Sequence, residues 1–78
     1  MSNQFKAGDI VVRKGRQMRV LRVGMSEDNH GKLREAVWCA DVKELVREEA
    51  GEMDNTWGYE KPFKASVYPY LFSEVQRA

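Results

Sequence analysis

The apolar positions of this chain change period twice. Ile10-Val11-Val12 is a short β-branched run, and Lys14-Gly15-Arg16 follows it as a turn in which Gly15 can take positive φ. A second strand is predicted from Gln17 to Gly24. Val20, Leu21 and Val23 are its apolar residues, and Arg19 and Arg22 interrupt them. Such imperfect alternation is expected where a small barrel bends its strands. Met25 to Gly31 reads as a loop, and Leu33 to Ala40 as a third strand centred on Ala36-Val37-Trp38-Cys39-Ala40. The period then shifts. Val42, Leu45, Val46 and Ala50 recur at helical spacing, Asp41 and Glu44 match an N-cap with its acidic third residue, and Gly51 stands where a helix would stop. A short amphipathic helix over Val42 to Ala50 is predicted. A competing reading carries strand three on to about Arg47, because short apolar runs are ambiguous. Glu52 to Tyr59 reads as an acidic loop, Pro62 to Tyr68 as a fourth strand and Pro69 as its breaker. Tyr70-Leu71-Phe72 resembles one 3₁₀ turn, and Glu74 to Arg77 a closing strand.

These elements predict a mostly β domain, a small barrel of about five strands with one short inserted helix. The whole of residues 1–78 forms a single domain, with an insertion over 41–59. A chain of 78 residues buries only about 60% of its unfolded surface, so its core is minimal. That leaves no deep cleft between layers. An enzyme is not expected, and a catalytic site would need a subunit interface. Partner binding and self-association are expected instead.

Gly8-Asp9-x-Val11, Lys14-Gly15, Met18-x-Val20, Val37-x-Cys39 and the terminal Leu71 and Val75 resemble the YodC-like family of small bacterial and phage proteins. The resemblance covers both ends of the chain and strand three. It implies an SH3-like barrel, no catalytic activity and a mobile-element or phage setting, with an inhibitor or adaptor of a host system as one specific role. The family has Gly-Gly-Pro before its Met, where this chain has Gly15-Arg16-Gln17. The family's Cys-x-Trp is here Cys39-Ala40-Asp41, with Trp38 before the cysteine. Over its first two strands the hairpin is also similar to the KOW motif and to the polymerase-binding domain of CarD-like proteins. The SH3-like dihydrofolate reductases share the length and the Gly-Asp opening. Their Val-Gln-Ile-Tyr strand is missing, and Ser66-Val67-Tyr68-Pro69 stands nearest to it.

Charge divides the chain. Residues 1–35 carry eight Lys/Arg against four Asp/Glu, and residues 36–78 carry five against eight, so halves of +4 and −3 sum to a net +1. Arg13, Lys14, Arg16, Arg19 and Arg22 surround the first hairpin. They could grip phosphates, with Trp38 or Tyr59 stacking a base, or simply form the wet side of a half-buried hairpin. Nucleic-acid binding through these five is the alternative function. The leading expectation is a protein partner. Trp57-Gly58-Tyr59 would provide aromatic contacts, and Leu45 and Glu48 of the inserted helix would provide a second contact. Phe63 and Phe72 are expected as core filling. The acidic run Glu44, Glu48, Glu49, Glu52 and Asp54 reads as the wet face of the helix and its loop.

Chemistry-bearing motifs are sparse. His30 is the single histidine and lies in a loop without ligand-spaced neighbours. Cys39 is the single cysteine and sits in an apolar strand. The expectation is therefore no metal, no cofactor and no Cys–His catalysis. One cysteine permits no intrachain disulfide and fits a reducing compartment. Met-Ser-Asn-Gln-Phe-Lys lacks an apolar signal region, so a cytoplasmic chain without membrane contact is expected, and a homo-oligomer is compatible with it.

Overall fold

A computed structural model describes residues 4–78. Five antiparallel strands make one sheet: β1 (Ile10–Arg13), β2 (Arg16–Glu27), β3 (Leu33–Asp41), β6 (Val67–Leu71) and β7 (Gln76–Arg77), in the order β6-β3-β2-β1-β7. Between β3 and β6 the chain forms helix α1 (Val42–Glu49) and a separate two-stranded hairpin, β4 (Met53–Thr56) and β5 (Tyr59–Pro62). Among the described residues no strand pairing joins the edge strands β6 and β7.

Arg22 owes its place in an apolar strand to a bulge. The β2–β3 register slips between Val20 and Arg22, so that Val20 faces Cys39 and Arg22 faces Trp38. The extra residue, Leu21, is what turns Val20 and Val23 to the same face despite their odd spacing. That face is the core. Phe5, Val11, Met18, Val20, Val37, Cys39 and Val75 are buried there, with Val23, Tyr70 and Phe72 packed at the margin. Phe5 closes it from the N-terminal segment, its ring edge-on to Phe72 at 5.0 Å. Arg77 clasps the two chain ends. It lies over Phe5, pairs with Asp9 at 3.4 Å and donates to the Gln4 carbonyl.

The helix forms as the spacing predicted, and strand three stops at Asp41. The Asp41 carboxylate accepts from the Lys43 N–H at 2.7 Å, which satisfies one orphan donor of the first turn. At the other end the Gly51 and Glu52 N–H groups reach back to the Glu48 and Arg47 carbonyls at 3.1 and 3.2 Å, the paired bonds of a Schellman ending. α1 touches β2 and β3, and its one buried residue, Leu45, lies outside the core cluster.

Several element boundaries differ from the sequence reading. β2 runs on to Glu27, because the β2–β3 loop shrinks to five residues organised by Asp28. Its carboxylate accepts from the His30 and Lys32 N–H groups and from Arg34, all within 3.0 Å. The expected acidic loop over Glu52 to Tyr59 is a hairpin. Pro62 ends that hairpin instead of opening the next strand, and Pro69 lies inside β6. Pro69 is tolerated there because β6 is an edge strand, paired only with β3. The 3₁₀ turn is Phe72–Glu74, two residues later than Tyr70-Leu71-Phe72, and β7 is only Gln76–Arg77.

Candidate functional site

The β4–β5 hairpin is the feature that a globular domain does not need. Apart from the half-buried Asp54, every residue from Met53 to Pro62 is exposed. The hairpin forms a two-stranded sheet of its own and pairs with no strand of the main sheet. The hairpin is an arm.

Its root is built from the helix. Arg47 stacks on the Phe63 ring at 4.0 Å and pairs with Glu52 at 3.3 Å, while the Phe63 N–H donates to the Glu52 carbonyl. Glu48 and Glu44 accept the backbone N–H groups of Ala65 and Ser66 at 3.2 and 3.1 Å. These contacts correct three expectations. Phe63 roots the arm and is not part of the core cluster. Glu44 and Glu48 hold the return segment and are not free acidic face. Leu45 is 6% exposed and Glu48 already has a partner, so neither is presented for a second contact.

The tip is unusual for its residue type. Thr56 faces Tyr59, and the two-residue loop between them has φ of +58° at Trp57 and +80° at Gly58. Positive φ at both positions is the type I′ turn that matches strand twist, and Asn-Gly is its ordinary occupant. A bulky tryptophan in the left-handed region carries roughly 1–2 kcal/mol of strain. Trp57 is also 92% exposed and Tyr59 76% exposed. Backbone strain and apolar exposure thus fall on one residue, and neither assists folding.

The basic residues do not form a comparable site. Arg13 lies over the Tyr70 ring at 4.9 Å, and Arg16 pairs with Asp41 at 2.8 Å. Arg19 pairs with Glu49 at 3.0 Å, and Arg22 stacks on Trp38 at 4.0 Å. Lys14 alone of the five has no such partner among the described residues. Strand register also divides them. Arg13 and Arg16 fall on the face of Val11 and Met18, and Arg19 and Arg22 on the opposite face. Trp38 is held beneath Arg22 and above Gly24, where an added Cβ would stand 3.2 Å from the indole. It is not available as a platform for a base.

Two groups among the described residues have shifted acidities. Burial pushes the Cys39 thiol up to about 11, and the residue is fully buried. Backbone N–H bonds from Lys32 and His30, then Arg34, hold the Asp28 carboxyl below its ordinary range. His30 lies in the polar loop beside Asp28, well away from the buried thiol in sequence and exposure. Among the described residues no cluster of His, Cys, Asp or Glu is placed to hold a metal ion. No helix among them is long and apolar enough to cross a membrane.

The arm had a partial signal in the sequence. Trp57-Gly58-Tyr59 marked the tip, but the pairing of Met53–Thr56 with Tyr59–Pro62 was masked by polar residues on both strands. No family model, no curated protein and no solved structure matches the chain.

Proposed function

We propose that this protein is a small, non-enzymatic binding module of SH3-like character that captures a protein partner with its projecting arm. The carrying observation is Trp57, a strained and 92% exposed ring at the tip of a hairpin whose root is tied down by five separate contacts. A firm root and an exposed aromatic tip are what a binding hot spot needs. The root sets where the arm leaves the domain, and the tip offers a large amphipathic ring to a partner. The short sheet with its bulged second strand supports the SH3-like description, and the YodC-like motifs support a phage or mobile-element setting. In that setting the partner would be a host protein that the module inhibits or adapts.

Trp57→Asn tests the reading cleanly. Asparagine is at home in the left-handed region, so the variant keeps or improves the turn while removing the ring. The expected result is a partner retained by the wild-type chain from lysate and released by Trp57→Asn, with a loss of at least about 2 kcal/mol, roughly 30-fold in Kd. Retention of the same partner by both Trp57→Asn and Tyr59→Ala would overturn it.

A further inference from the structure

The chain guards the edges of its main sheet. β7 is two residues long. On β6, Pro69 has no N–H, so it must sit at an outward, non-ladder position, and alternation then turns Val67 and Leu71 outward as well. The Leu71 N–H is occupied by the Glu74 carboxylate at 2.8 Å. Val67 alone is left with an open outward donor.

The arm is guarded on one side only. Its closing pair, Thr56 and Tyr59, and the Phe63 to Glu52 bond fix the alternation. Asp54 and Lys61 are paired within the arm, while Met53 and Asn55 on β4, and Glu60 and Pro62 on β5, point their backbone groups outward. Pro62 and two charges blunt the β5 edge. The β4 edge offers the N–H and C=O of Met53 and Asn55 with no proline and no blocking side chain. Such an edge accepts another strand.

We infer that the β4 edge pairs with β4 of a second copy of this chain, joining two arms into a four-stranded antiparallel sheet across a two-fold axis at Asn55. This adds self-pairing along the β4 edge to the tip's contact with its partner, and rests on the reading of the arm as the binding element. Charge selects the register. Centring on Asp54 would set the two carboxylates face to face, and centring on Met53 would set Glu52 against Asp54 of the second copy. Centring on Asn55 sets Asp54 against Thr56 and opposes no two like charges. That arrangement brings the exposed Met53 of each copy up to the turn of the other and leaves the Trp57 ring free. It also converts a lone hairpin, marginal in water, into a sheet of four strands.

Sedimentation across a concentration series is the test. The expected species at high concentration has twice the 9.0 kDa chain mass. Asn55→Pro removes the central outward donor and should leave a monomer, whereas Glu60→Pro, the same change on the other edge, should leave the dimer intact. In a Cys39→Ala background, Asn55→Cys should crosslink across the axis on mild oxidation, and Glu60→Cys should not. A monomer at every concentration up to about 1 mM overturns the inference. So does a dimer that survives Asn55→Pro and is not crosslinked by Asn55→Cys. A monomeric Asn55→Pro chain that still retains a different protein through Trp57 separates the two readings: the arm then binds, and the copies pair only at β4.

Discussion

Lys14-Gly15 and Trp57-Gly58 close two hairpins with the same turn. The φ values are +51° and +76° in the first, +58° and +80° in the second. Local chemistry is therefore alike, and the outcomes are opposite. β1 and β2 place Val11, Met18 and Val20 at 0–3% exposure and are flanked by β7 and β3. β4 and β5 bury nothing and pair only with each other. A turn decides that two strands pair. Apolar residues on one face decide whether the pair becomes part of a core.

Truncating a methionine on each hairpin should separate them most. Met18→Ala is expected to lower the unfolding free energy by about 2–5 kcal/mol, because a buried side chain leaves a cavity. Met53→Ala, at concentrations where the chain is monomeric, should move it by no more than about 0.5 kcal/mol. Urea denaturation measures both, and equal losses would erase the distinction.

Thiol chemistry sharpens the same contrast. Cys39, behind the first hairpin, should resist a thiol reagent until the chain unfolds, while Thr56→Cys in a Cys39→Ala background should react at once. The folded thiol value of about 11 lies above the ordinary 9.0. Because burial disfavours the thiolate, stability is undiminished below pH 9.0 and falls as pH rises from there towards about 11. The Cys39→Ala variant should lack that alkaline decline in its denaturation midpoint.

Asparagine at each turn should act on different scales. Lys14→Asn relieves left-handed strain within the cooperative sheet and should raise global stability by roughly 1 kcal/mol. Trp57→Asn should leave the global midpoint unchanged and slow amide exchange only within the arm, since the arm can open without the core.

The smallest effect belongs to the remaining loop, between β2 and β3. Folded Asp28 keeps its carboxyl below the ordinary value of 3.8, so its contribution is present above that value and is lost as pH falls through the lower folded one. The Lys32 and His30 amide protons should shift together with a midpoint below 3.8, and Asp28→Asn should abolish that titration.

Much of the main sheet was legible because its determinants are local. β-branched Ile10-Val11-Val12, the Lys14-Gly15 turn and the apolar centre of β3 each specify their element within a few residues, and Asp41 and Gly51 bracket the helix. The arm was only half legible. Met53-Asp54-Asn55-Thr56 and Tyr59-Glu60-Lys61-Pro62 have no apolar face, and pairing between polar strands leaves no period to read. Arg22 interrupts an apolar strand in the sequence, but the cause is a bulge between Val20 and Arg22, and bulges have no reliable local code.

By itself, the sequence determined which segments extend, turn and coil, because propensity, capping and turn geometry act over a few bonds. Tertiary structure alone decided three things: that Glu44 and Glu48 would root the arm, that four of the five hairpin bases would be engaged, and that Trp57 would be left exposed. Those outcomes depend on which distant groups arrive within hydrogen-bond or stacking distance, and only the folded register brings them there.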